Sequence, residues 1–136
     1  MAPRQMTSAI AAYRQVGTAG SIEQADPHRL ISMLFDGALA RIASARGHMQ
    51  RGAVAEKGAE IARALDIVAG LRASLDLDVP GGLAQRLDAL YDYIGRRLVA
   101  ANLGNELGML DEASALLREV ASGWNATAPA RMAGAA

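Results

Sequence analysis

Breaks in the chain constrain its fold more than any other feature. Asp26-Pro27, Gly52, the run Asp78-Val79-Pro80-Gly81-Gly82 and the run Asn102-Leu103-Gly104-Asn105 cut the chain into four long segments. Each segment carries apolar residues at spacings of three and four, the period of one helix face. In the first, Leu30, Leu34, Ala38, Ile42, Ala45 and Met49 recur after an Asp26 N-cap and a Pro27 at the first helical position. The second, from about Val54 to Leu75, places Ile61, Leu65, Val68, Leu71 and Leu75 on one side. The third, from about Leu83 to Ala101, holds Leu83, Leu87, Leu90, Tyr91, Ile94 and Leu98 in register. Gly104 is expected as its left-handed cap and Asn105 as the next N-cap. The fourth runs from about Glu106 to Trp124 through Leu107, Leu110, Leu117, Val120 and Trp124.

No segment alternates with a period of two, and β-branched residues are sparse. The expectation is an all-α chain of four helices, each of roughly 20–25 residues, packed as an antiparallel four-helix bundle over residues 26–125. Residues 1–25 are small, polar and weak as a helix, yet Ile10, Tyr13 and Val16 at three-residue spacing fall on one side of a helical turn. They are expected to form a flexible leader, and residues 126–136, rich in Ala, Pro and Gly, a disordered tail.

The apolar arcs are too broad for a plain bundle. A core-facing helix needs an arc of about 100°. Leu103, Leu107, Met109, Leu110, Ala113, Leu116, Leu117, Val120 and Trp124 spread over about half the circumference at the helical step. In the first helix Ile31, Phe35 and Leu39 flank the main stripe in the same way. A four-helix bundle has no central helix, so a second apolar face is expected to await a partner.

The 136 residues include 14 basic and 14 acidic ones, a formal net charge of zero. Phosphate binding needs clustered positive charge, which argues against nucleic acid. The absence of cysteine removes disulfides, thiolate metal sites and Cys nucleophiles. No run approaches the ~18 apolar residues that span a bilayer, so a cytoplasmic protein without stable membrane insertion is expected. His28 and His48 lie twenty residues apart with no acid cluster at ligand spacing, and they read as ordinary histidines rather than metal ligands. Asp88, Asp92 and Arg96 at four-residue spacing read as a solvated charged ridge. No catalytic constellation, cofactor motif or metal site emerges, and an enzyme is not expected.

Two strings are specific. The first, Pro27-x-x-Leu30-Ile31-x-Met33-Leu34-Phe35-Asp36-Gly37-Ala38, follows Ile10-x-x-Tyr13-x-x-Val16. The second is Leu87-x-x-Leu90-Tyr91-Asp92-Tyr93-Ile94-x-Arg96-Arg97-Leu98-x-x-Ala101-Asn102, closed by Leu116-Leu117 and Trp124. In order and spacing, over about residues 10–125, the chain resembles the flagellar secretion chaperone family, FliS. The resemblance implies a four-helix bundle that holds the disordered C-terminal segment of flagellin in the cytoplasm. It also implies protection from premature polymerisation and help in delivery to the flagellar type III export gate. An N-terminal segment, matched by Ile10, Tyr13 and Val16, would be a labile cap on the client surface. Client or cap contacts are expected at Ile10, Tyr13, Val16, Tyr93, Arg97, Met109, Leu116 and Val120. Tyr93 and Arg97 share a face and would either line the client groove or pin the third helix to the second. The free protein is expected to be a monomer or weak dimer; the alternative is a homo-oligomeric structural bundle with no client.

Two residues depart from the family pattern. Leu83 follows Gly81-Gly82 where an acidic residue is common, so the first-turn charge that complements the helix dipole is missing. Gly95 interrupts the signature helix and is expected to weaken it by up to about 1 kcal/mol relative to Ala.

Overall fold

In a computed structural model, residues 26–127 are described. They form four helices: α1 (Pro27–Gln50), α2 (Val54–Ala73), α3 (Leu83–Gly104) and α4 (Leu107–Ala126). No strand occurs among the described residues. Each helix packs on its two neighbours in a ring, α1 on α2, α2 on α3, α3 on α4 and α4 on α1. Side-chain pairs run in opposite directions along the α2–α3 and α1–α4 seams, as an antiparallel bundle requires. Across α2 and α3, Lys57 meets Asn102 near one end and Arg72 meets Asp88 near the other.

The starts and stops follow local chemistry. Asp26 accepts the Arg29 amide at 2.7 Å and Pro27 opens α1, as the sequence indicates. Gly52, at φ 73°, turns the chain between α1 and α2. Gly81 and Gly82, at φ 113° and 80°, turn it into α3. The α3–α4 corner departs from expectation. Gly104 stays helical, and Asn105 takes the left-handed conformation at φ 54°. Asn is the side chain that best tolerates that region, and here its Oδ1 accepts from Lys57 Nζ at 3.1 Å. The Glu106 amide reaches back to the Ala101 carbonyl at 3.1 Å and closes the stop. Glu106, without a side-chain cap, then precedes α4, so Asn105 is not its N-cap. Leu103 accordingly belongs to α3, not to the arc of α4.

The core draws on all four helices. Leu34, Ile42, Ile94 and Leu117 are fully buried, as expected, whereas Leu65, Leu87 and Leu90 are half-buried at its margin. Leu83 was expected in the α3 stripe but is 61% exposed, because the first turn of α3 carries it past the packed part of the bundle. Ala38, Ala45, Ala64, Ala101 and Ala113 have no exposed surface; such small residues let the helices approach closely. Phe35 fills the α1 side of this core, and Gly37 is buried beside it.

Trp124 closes the end of the α1–α4 seam. His28 stacks on it with ring centroids 4.4 Å apart and 11° between planes. Trp124 Nε1 donates to the His28 carbonyl at 3.0 Å, and His28 Nε2 lies 3.0 Å from the Trp124 carbonyl. His28 is therefore a structural residue of the bundle end. Arg46 and Asp111 pair at 2.7 Å further along the same seam.

Candidate functional site

The surface between α2 and α3 carries an open groove of about 710 Å³. Leu65, Val68 and Ala69 supply the α2 wall; Tyr91, Gly95 and Val99 supply the α3 wall. Gly95, Val99 and Leu103 follow at four-residue intervals, so they stack along one stripe of α3. Val99 and Leu103 are 45% and 83% exposed, and Val54, at the start of α2, is 69% exposed. Three large apolar residues thus lie open along one helix pair, at or beyond one end of the recess.

The opposite end of the groove is polar and internally neutral. Arg72 of α2 donates to Asp88 at 2.6 Å and to Asp92 at 3.1 Å, and Arg96 donates to Asp92 at 3.0 Å. The Arg72 hydrogen bond holds the Asp88 carboxyl below its ordinary pKa. This is the ridge expected from the spacing of Asp88, Asp92 and Arg96, with Arg72 added from the neighbouring helix. Tyr91 lines the recess, and burial pushes its phenol up to about 12. A buried tyrosine hydroxyl ordinarily finds a hydrogen-bond partner. No such bond forms among the described residues, and burial alone accounts for the raised pKa.

A second surface lies between α3 and α4. The Tyr93 hydroxyl donates to Glu112 Oε2 at 2.6 Å, and Arg97 Nε donates to Glu112 Oε1 at 2.7 Å. One carboxylate therefore holds both side chains, and Arg97 also lies 5.7 Å from the Tyr93 ring centroid. The Tyr93 bond contributes most to lowering the Glu112 pKa, and the same bond raises that of Tyr93. Tyr93 and Arg97 thus pin α3 to α4, not to α2. Met109, Leu116 and Val120 are half-buried. At about 100° per residue, all three lie within a quarter turn of Glu112, on the flank of α4 that faces α3. Tyr93 and Arg97 meet at Glu112, and by helical position Met109, Leu116 and Val120 fall on the same side of α4 as that carboxylate. Ile10, Tyr13 and Val16 lie outside the described residues.

Sequence reasoning missed the α2–α3 groove. Its signal lies in Gly95, Val99 and Leu103, but in the sequence Leu103 reads as part of the fourth helix and Gly95 only as a weak point of the third. Among the described residues no His, Cys, Asp or Glu group is arranged to hold a metal. No described helix is long and apolar enough to cross a membrane.

Residues 9–131 match the family model described as Flagellar protein FliS. The chain belongs to the FliS family. It is 50% identical over 113 residues to the flagellar secretion chaperone FliSB of Pseudomonas aeruginosa, covering 83% of this chain and 90% of that one. It is 41% identical over 123 residues to the flagellar secretion chaperone FliS of Salmonella typhimurium, covering 90% and 91%. Against FliS of Bacillus subtilis it is 31% identical over 113 residues, covering 83% and 80%. The FliS match spans both candidate surfaces and the two specific strings.

Proposed function

We propose that this FliS-family chain is a cytoplasmic export chaperone that binds the C-terminal segment of flagellin. In this reading it prevents premature polymerisation and helps deliver the client to the flagellar type III export gate. The observation that carries it is the apolar stripe of Val99 and Leu103 beside the α2–α3 groove, unpartnered among the described residues on a chain whose relatives are flagellar secretion chaperones. An amphipathic client helix keeps its main-chain hydrogen bonds internal and gains affinity by burying an apolar face in such a groove. Folding on binding costs the client several kcal/mol, so a large contact is required. Met109, Leu116 and Val120, with Tyr93 and Arg97, form a second client contact on the α3–α4 flank. Ile10, Tyr13 and Val16 cover apolar surface when no client is bound.

Titration calorimetry with a peptide of the cognate flagellin C-terminal region tests this. Saturable 1:1 binding with a Kd below about 10 μM supports it, and no heat of binding at that concentration overturns it. Sedimentation of the free protein separates the other reading. A stable dimer that hides the groove and takes no peptide would identify a structural bundle instead.

A further inference from the structure

The inference concerns Gly95 and rests on the reading of the α2–α3 groove as a client site. A glycine inside a helix is unfavourable relative to Ala, because it adds backbone freedom to the unfolded chain. Nothing in the fold requires one here. Gly95 is not among the left-handed glycines, which are Gly52, Gly81 and Gly82. A Cβ at Gly95 would meet only Leu65 Cδ2, at 3.7 Å, an ordinary contact. Helix packing would therefore accept Ala at this position. What the glycine provides is depth: it sits between Tyr91 and Val99 along α3, across from Leu65, with the small Ala69 nearby on the opposite wall.

We infer that Gly95 is the floor of a socket for one large aliphatic or aromatic side chain of the bound client helix, and that its missing side chain sets the size of that anchor. The occupant is an amphipathic helix, on two grounds. Gly95, Val99 and Leu103 form a straight apolar stripe of about 12 Å along α3, the length over which a partner helix presents two or three anchors. The rim is polar and internally neutral, with Arg72 and Arg96 paired to Asp88 and Asp92, so it suits the polar flank of an amphipathic helix without demanding a net charge. The Arg96 side chain donates to Asp92 through Nε and is still 70% exposed, which leaves its other N–H groups placed for a polar group of the partner one or two turns from the anchor.

Binding of the flagellin C-terminal peptide to the wild-type chain, Gly95→Ala and Gly95→Leu tests the socket. Gly95→Ala is expected to raise the melting temperature and yet weaken binding severalfold. A merely structural glycine would not move the two in opposite directions. Gly95→Leu is expected to weaken binding by about tenfold or more, the scale of a misfit in an apolar pocket. In an alanine scan of the peptide, one large apolar residue should lose affinity on the wild type and lose little on Gly95→Leu, since both changes remove the same contact. Circular dichroism checks the fold, and Gly95→Ala decides if Gly95→Leu does not fold. Wild-type binding that both folded variants match overturns the socket and leaves the groove reading standing. Failure of the wild type to bind removes the groove reading, and the socket with it.

Discussion

Lys57, in the first turn of α2, donates from Nζ to the main-chain carbonyl of Asn102, in the last turn of α3, at 3.0 Å. Its residue is only 4% exposed. A buried ammonium needs acceptors, and the end of a helix offers carbonyls that lack intrahelical partners and carry the negative pole of the helix dipole. Lys57 also holds Asn105 in its left-handed turn through Oδ1. Lys57→Met keeps the apolar stem and removes the ammonium. It is expected to cost roughly 1–3 kcal/mol, the penalty of leaving buried acceptors unpaired. Thermal denaturation should show a fall of about 4–8 °C for each kcal/mol lost, with faster amide exchange at Glu106. An unchanged melting temperature would mean that water replaces the ammonium without loss.

Tyr93 and Arg97 share Glu112, so their contributions should not add. Tyr93→Phe removes a donor from the carboxylate, and Glu112→Gln removes the charge from both partners. Each single variant is expected to lower stability slightly, and the double variant by less than the sum. Arg97→Ala with Glu112→Gln should behave in the same way. A double-mutant cycle in urea checks this, and full additivity would show that the three side chains do not act as a unit.

Tyr91 should behave differently from its neighbour two residues on. Its hydroxyl bonds no described residue, so Tyr91→Phe is expected to change neutral-pH stability by less than about 0.5 kcal/mol. In alkali it matters. The unfolded phenol ionises near its ordinary 10.0 and the folded one near 12, so the folded state holds its proton more tightly. The contribution is complete below pH 10 and is lost as pH rises towards 12. Urea melts across that range should lose stability less steeply in Tyr91→Phe than in the wild type.

The helices were legible because each has a strong apolar period and most are bounded by Pro or Gly. Asp26-Pro27 and Gly81-Gly82 marked starts that the structure keeps. The α3–α4 corner was not legible. Both Gly104 and Asn105 suit a left-handed stop, and what selects Asn105 is a lysine 48 positions away. Tertiary contact likewise decided the partner of Tyr93 and Arg97: the α3 period showed that they share a face, but not which neighbour that face meets. His28 could not be assigned to Trp124 from spacing, because the contact joins opposite ends of the described chain. The groove was hidden because its lining combines single residues from two helices, and its depth comes from a side chain that is absent.

Glu60 should make the bundle acid-sensitive. Its carboxylate accepts from Arg41 Nη1 and Ser44 Oγ, both at 2.8 Å, and from Arg63 Nη1 at 3.4 Å, with its side chain only 12% exposed. Burial is the largest single influence and opposes its charge. The Ser44 bond and the Arg41 and Arg63 contacts together outweigh burial and lower the pKa below the ordinary 4.5. The unfolded chain therefore takes up this proton more readily than the folded one. Glu60 stabilises the fold fully above pH 4.5, and that contribution is lost as pH falls through the lower folded value. Arg41 Nε is already buried without a partner, so weakening the Arg41–Glu60 pair leaves that guanidinium still less satisfied. Glu60→Gln is expected to cost roughly 1.5–3 kcal/mol at neutral pH, the range for hydrogen bonds to a charged group. Between pH 6 and pH 3, urea melts should show a smaller loss of stability in Glu60→Gln than in the wild type. Equal losses would place the acid sensitivity elsewhere, at Asp88, Asp111 or Glu112, whose carboxyls are also lowered by Arg or Tyr partners.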